Sequence, residues 1–237
     1  ECEVLITTLK NLVDENKIND ADFIKIDVQG AELDILKGGR DFIKDNVLGL
    51  QLEVEFGEMY KNQPLFADVD AFVRSVFGMQ IQDLRKAYWK YGEGYSYGGS
   101  KGRLIFGDAL YFLPPYKVIE LCKSYTDPDM AKKKLLKAVL MGVIYGYFDY
   151  SIHLLRDKET VSICSSKEIK EIEEAIVEFL SRNQSLSVKV HQFLSKKSRR
   201  KLSGFLSIFH GLLKLNSKSW SSSGDHIGNK YYKGIFY

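Results

Sequence analysis

Three cysteines in 237 residues, an odd number with no C-x-x-C spacing, give neither a disulfide framework nor a zinc knuckle. Cys2, Cys122 and Cys164 read as reduced thiols, and a cytoplasmic location is expected. No apolar run reaches the eighteen or so residues of a membrane span. The most apolar stretch, Ala138 to Tyr150, is interrupted by Gly142, Gly146 and Asp149. There is no internal repeat and no G-x-G-x-x-G for a dinucleotide. The four histidines (His153, His191, His210, His226) include no H-x-x-x-H pair, so no metalloprotease helix is present.

What is present is unevenly divided. Residues 1–115 carry 13 basic and 19 acidic side chains, whereas residues 116–237 carry 21 basic and 12 acidic. An acidic half followed by a basic one suggests two regions of different character, with an anionic surface as one kind of partner for the second.

The most informative segment is Asp22 to Gly39, DFIKIDVQGAELDILKGG. Phe23 to Val28 is an apolar run interrupted by Asp27. Gln29-Gly30 breaks it, and Ala31 to Lys37 takes helical spacing until Gly38-Gly39. This predicts a buried strand, a tight turn and a helix, half of a βαβ unit. In open α/β sheets ligands bind at the carboxyl ends of the strands, which is where Asp27, Gln29 and Glu32 would sit.

Around that unit the pattern alternates. A strand is expected at Val4 to Ile6, then a helix from Leu9 to about Asn16 capped by Thr7 or Thr8. A helix at Arg40 to Lys44 leads to a strand at Leu48 to Phe56. Asp68 to Val76 is a helix ended by Gly78, and Met79 to Leu84 a strand. Tyr88 to Gly102 reads as a long Gly/Tyr-rich connection before a strand at Leu104 to Phe112. Such alternation indicates an α/β sheet. After Pro115 the spacing is helical: Tyr116 to Tyr125, Met130 to Leu155, Ser166 to Arg182, then one or two helices over Ser187 to Leu215. Asp127-Pro128 and Ser165 or Ser166 mark helix starts. Two domains are expected, 1–115 and 116–237.

Asp27 ends an apolar strand, where burying an unpaired carboxylate would cost roughly several kcal/mol. It therefore either points out towards ligand or is paired within the core. Gly30 permits a turn that side chains disfavour. Glu32 lies in a first helical turn, which the helix dipole alone would justify. Glu53 and Glu55 are two apart on one strand and share a face, suited to a cation, an acceptor hydroxyl or a solvated edge. Hard cations favour oxygen ligands, and Asp27, Glu32 and Glu53 form one such trio; no resident metal is assigned. Tyr60 and the aromatics of the 88–97 loop could stack on a substrate or serve as apolar cover. The run Lys196-Lys197-Ser198-Arg199-Arg200-Lys201, between apolar residues, is either a solvated face or a weak membrane-surface contact. No nucleic-acid partner is expected.

Four blocks, in order and sensibly spaced, closely resemble the FkbM family of S-adenosylmethionine-dependent methyltransferases. They are IKIDVQGAELDILKGG (Ile24 to Gly39), LQLEVEF (Leu50 to Phe56), MYKNQPLFADVDAFV (Met59 to Val73) followed by Gly78, and FGDALYF (Phe106 to Phe112). Many members have Glu at the position of Gln29. The resemblance implies part of a class I, Rossmann-like methyltransferase sheet followed by an α-helical C-terminal region. Phe23 to Val28 would be its fourth strand and Leu50 to Phe56 its fifth. Met79 to Leu84 and Leu104 to Phe112 would be the last two, the final one antiparallel.

The cofactor implied is S-adenosylmethionine, contacted by Asp27, Val28, Gln29 and Gly30. Asp27 and Glu32 would be the catalytic residues, either acting as base on a hydroxyl within reach. Glu53, Glu55 and Tyr60 would hold the acceptor, a hydroxyl of a sugar, glycan or secondary metabolite. The Gly-rich turn that such enzymes place after their first strand is missing. Gly92-Glu93-Gly94 lies in a late loop and does not replace it. The chain is thus expected to be the C-terminal part of a longer enzyme and to bind the cofactor poorly by itself. The alternative is a non-catalytic remnant whose helical half docks on a membrane surface or a partner.

Overall fold

The computed structural model describes residues 6–90 and 102–181, which divide into two compact units, 6–121 and 122–181. The first is a four-stranded mixed sheet with helices. Its elements run α1 (Leu9–Asp14), β1 (Phe23–Ile26), α2 (Glu32–Gly38), α3 (Arg40–Asn46), β2 (Gly49–Glu55), α4 (Phe66–Phe72), β3 (Gln80–Trp89) and β4 (Arg103–Phe112). The strand order is β1-β2-β4-β3. β1 and β2 are parallel, and β4 is inserted antiparallel to both β2 and β3. The last strand in sequence thus runs against the others, as expected for part of a Rossmann-like methyltransferase sheet.

The connections decide which face is buried. β1 to β2 and β2 to β3 both progress in the same direction across the sheet, and parallel crossovers are right-handed, so their helices share one face. α2 and α4 pack on β2 and on each other, and α1 packs on α2 and α3. Leu50, Leu52 and Val54, alternating along β2, are fully buried. Leu36, Ile43, Val69 and Val73 from the helices are equally inaccessible. Apolar burial of this kind contributes roughly 1.5–3 kcal/mol per large side chain.

Several boundaries differ from those read in the sequence. Ile6 is exposed coil, while Val4 and Leu5 lie outside the described residues. β1 ends at Ile26, two residues short of expectation, and Val28 is exposed, because the chain turns sharply at Gln29. α4 begins at Phe66, with the Asp68 carboxylate accepting from Leu65 N at 2.9 Å. It continues as a π turn over Val73–Phe77 rather than as α-helix to Val76. Tyr88 and Trp89 belong to β3, not to a connection, because β3 pairs with β4 as far as Trp89↔Arg103. Tyr91, Tyr95, Tyr97 and Gly92 to Gly94 fall outside the described residues.

α5 (Pro115–Ser124) runs through the boundary between the units. The second unit holds α6 (Pro128–Tyr145), α7 (Phe148–Arg156) and α8 (Ser166–Ser181). Asp127 caps α6 through Asp129 N at 2.9 Å, with Pro128 at the first position. The single helix expected over Met130 to Leu155 is in fact two. Gly146 takes φ +84, a left-handed C-cap that side chains disfavour, and the chain reverses there.

α6 and α7 pack together, joined by the buried Ser151 hydroxyl donating to Val139 O at 2.8 Å. Ser165 and Glu168 form a reciprocal cap on α8: Ser165 Oγ accepts from Glu168 N, and the Glu168 carboxylate accepts from Ser165 N. Lys132 and that carboxylate pair at 2.6 Å, and Arg156 pairs with Glu173. Lys132 and the serine hydroxyl pull the Glu168 pKa down to about 2. Cys122 and Cys164 are both buried and free, and burial pushes the Cys122 thiol up to about 12. His153 is exposed on α7. Cys2, the other histidines, the Lys196–Lys201 run and the helices expected after Ser187 lie outside the described residues.

Candidate functional site

The turn after β1 is held by one side chain. Gln29 takes φ 55 and Gly30 φ 108, two successive left-handed residues. For glutamine this conformation is uncommon and has to be maintained by its surroundings. Glu32, at the start of α2 and 2% exposed, supplies that support. Its Oε1 accepts from Val28 N and its Oε2 from Gly30 N, both at 2.9 Å. Both oxygens therefore fix the turn, a role that helix-dipole reasoning about a first-turn acid does not reveal. A Cβ at Gly30 would meet Gln63 Cβ at 3.4 Å, so glycine is favoured here by φ and by close approach.

Asp27 does not enter the core. It is exposed and ion-paired with Lys25 at 2.7 Å, which raises the Lys25 pKa. Asp27 follows the last β1–β2 pair, Ile26↔Leu52, and its charge acts on Glu53, the residue after Leu52. Glu53 in turn lies opposite Asp108 on β4, and Asp108 opposite Arg85 on β3. Gln51, on the same face of β2, donates to Asp108 Oδ1 at 3.3 Å. The β2 face away from Leu50, Leu52 and Val54 is therefore lined with acids. Burial and the Asp27, Glu55, Glu32 and Asp108 charges raise the pKa of Glu53 to about 7.

Glu55 is fully buried, and neither carboxylate oxygen has a hydrogen-bond partner among the described residues. Burial and the neighbouring Glu32 charge lift its pKa to about 7 as well. The Gln63 amide lies close enough to moderate that shift, yet its Nε2 is outside hydrogen-bond geometry. Gln63 Oε1 is committed to Met59 N, at 2.8 Å, and to Tyr60 N. This fixes the loop after β2 and places the Tyr60 hydroxyl to donate to Gln29 Oε1 at 3.3 Å. Tyr60 itself remains 54% exposed.

Carboxylate oxygens of Glu32, Glu53 and Glu55 lie within 4.8 Å of one another. Of the trio considered from sequence, Glu32 and Glu53 are kept, and Glu55, on the same face of β2 as Glu53, stands in place of Asp27, whose carboxylate pairs with Lys25. The residues singled out in the sequence thus gather at the carboxyl ends of β1 and β2. Lys25, Gln63 and Asp108 were missed. Gln63 carries no local signal, since a glutamine in a loop is ordinarily solvated. Asp108 could have been found from the β2–β4 register alone.

The conjunction of this turn with the β1-β2-β4-β3 order is the arrangement expected of the carboxyl-end half of a methyltransferase sheet. Residues 1–78 match the methyltransferase FkbM domain. The FkbM match takes in β1, the Glu32-braced turn, β2 and the Gln63 loop, and ends at Gly78 just before β3. No curated protein and no solved structure matches this chain. Among the described residues, no helix is long and apolar enough to cross a membrane.

Proposed function

We propose that this chain contributes the acceptor-facing part of an S-adenosylmethionine-dependent O-methyltransferase, acting on a hydroxyl of a sugar, glycan or secondary metabolite. The observation that carries this reading is the FkbM match across the β1 turn and β2, on a sheet whose last strand is inserted antiparallel. Val28 and Gln29 are exposed in a turn at a strand's carboxyl end, with the exposed Asp27 carboxylate next to it in the chain.

In this reading the turn positions the donor and Asp27, exposed beside it, orients the acceptor hydroxyl and takes its proton as the new C–O bond forms. Glu32 acts through the turn, since both of its oxygens are engaged there. Tyr60 and Glu53 line the acceptor side, with Glu55 beneath them. Rate would come mainly from holding oxygen and methyl in line and from removing water around the cationic donor.

The test is transfer of isotopic label from S-adenosylmethionine to a panel of sugar and glycan hydroxyls, at saturating donor because no G-x-G-x-x-G turn occurs in the sequence. Label on oxygen, reduced at least tenfold by Asp27→Asn with unchanged circular dichroism, is expected. Transfer to nitrogen or carbon acceptors, or full activity of Asp27→Asn, would overturn the reading.

A further inference from the structure

We propose that Glu32, Glu53 and Glu55 form a binding site for a hard divalent cation of the Mn2+ or Ca2+ kind. The argument stands on the geometry of the three side chains and does not depend on methyl transfer. Their oxygens lie within 4.8 Å of one another. Oxygens on opposite sides of a Ca2+ ion are about 5 Å apart, at roughly 2.3–2.6 Å each from the metal. Three carboxylates can therefore ligate one ion without rebuilding the backbone, and an all-oxygen set selects a hard cation over a thiophilic one.

The second observation concerns Glu55 alone. It is fully buried, its two oxygens have no hydrogen-bond partner, and no ion pair among the described residues reaches it. Buried polar groups are nearly always satisfied, so a carboxylate left bare in this way indicates a missing partner. Gln63 Nε2, close by, stays outside hydrogen-bond geometry, and with two further carboxylates within 4.8 Å a compact cation fits the position. Lys25 does not serve, being paired with Asp27.

Glu32 supplies rigidity. Its bonds to Val28 N and Gly30 N use one lone pair on each oxygen and leave the others to a metal. Glu53, half-buried, opens the site to solvent and lets water or an acceptor oxygen complete the coordination shell. The ion would also tie the β1 turn to β2, the two segments between which an acceptor would lie.

The test is titration of the chelator-stripped 237-residue chain with MnCl2, followed by calorimetry and by loss of the free Mn2+ electron paramagnetic resonance signal, with no methyl donor present. One Mn2+ per chain, displaced by CaCl2, is expected. Glu55→Gln and Glu53→Gln should each weaken binding at least tenfold, whereas Glu171→Gln, on the exposed face of α8, should leave it unchanged. Glu53 is half-exposed, so its variant keeps the test valid if Glu55→Gln fails to fold. Absence of stoichiometric Mn2+ binding, or equal binding by Glu53→Gln and Glu171→Gln, would rule the site out. Because the donor is omitted, a chain inactive in methyl transfer still gives a decisive answer.

Discussion

Leu50, Leu52 and Val54 alternate along β2 with Gln51, Glu53 and Glu55, so one seven-residue strand presents two opposite chemistries. On the helix-covered face every side chain is apolar and inaccessible. On the other face Glu53 and Glu55 are crowded by Glu32, Asp27 and Asp108. The first face follows the rule that apolar area leaves water. The second departs from it by gathering acids, one of them buried with no carboxylate hydrogen bond among the described residues. A protein holds such an arrangement only when the rest of the fold over-determines it, and here the well-packed face provides that margin.

The contrast can be broken from either side. Leu52→Ala leaves a cavity under α2 and α4 and should lower stability by about 2–5 kcal/mol in urea unfolding. A loss below about 1 kcal/mol would mean that the apolar face does not anchor the sheet. Next in size is Glu32→Ala, which strips the acceptors from two backbone amides and frees a strained turn. About 1–3 kcal/mol is expected, with faster hydrogen exchange at Val28 and Gly30. Protection unchanged at those two amides would separate Glu32 from the turn.

The acidic face should show an inverted pH dependence. Glu53 and Glu55 have folded-state pKa values near 7 against an ordinary 4.5. Between those values the folded chain binds more protons than the unfolded one, so these two groups make stability fall as pH rises from about 4.5 to about 7. In the presence of chelator, Glu55→Gln should therefore be more stable than the parent at pH 8 by about 1–2 kcal/mol, and no more stable at pH 4. A parent whose stability climbs steadily across that range would contradict the crowding of these acids. The smallest effect is expected for Tyr60→Phe. Its bond to Gln29 is long and exposed, and stability should change by less than about 0.5 kcal/mol, with a raised KM for the acceptor as the readout of any role.

Much of this was legible in the sequence because the governing patterns are local. The switch from period two to helical spacing around Gln29-Gly30 located the turn, and the alternation from Leu50 to Glu55 assigned the two faces of β2. What escaped depends on residues far apart in the chain. Glu32 looked like a first-turn acid, since nothing in its neighbours announces that it bends back to two amides. Gln29 is not a residue that prefers left-handed φ, so its conformation is imposed by the structure around it. The break at Gly146 was hidden because a glycine within a long apolar helical pattern is often tolerated. β3 was placed too short because its outer residues become strand only through pairing with β4.

The insertion of β4 between β2 and β3 also has a temporal side. Gln51 and Asp108, joined across β2 and β4, are 57 positions apart. At a synthesis rate of about 5–20 residues per second, β2 leaves the ribosome roughly 3–11 s before the strand that closes its edge. For that interval its edge is open, with one wholly apolar face. Glu53 and Glu55 on the opposite face then act as gatekeepers, their mutual repulsion discouraging two nascent chains from pairing through β2. The crowding of acids on β2 would thus protect the chain before the site exists.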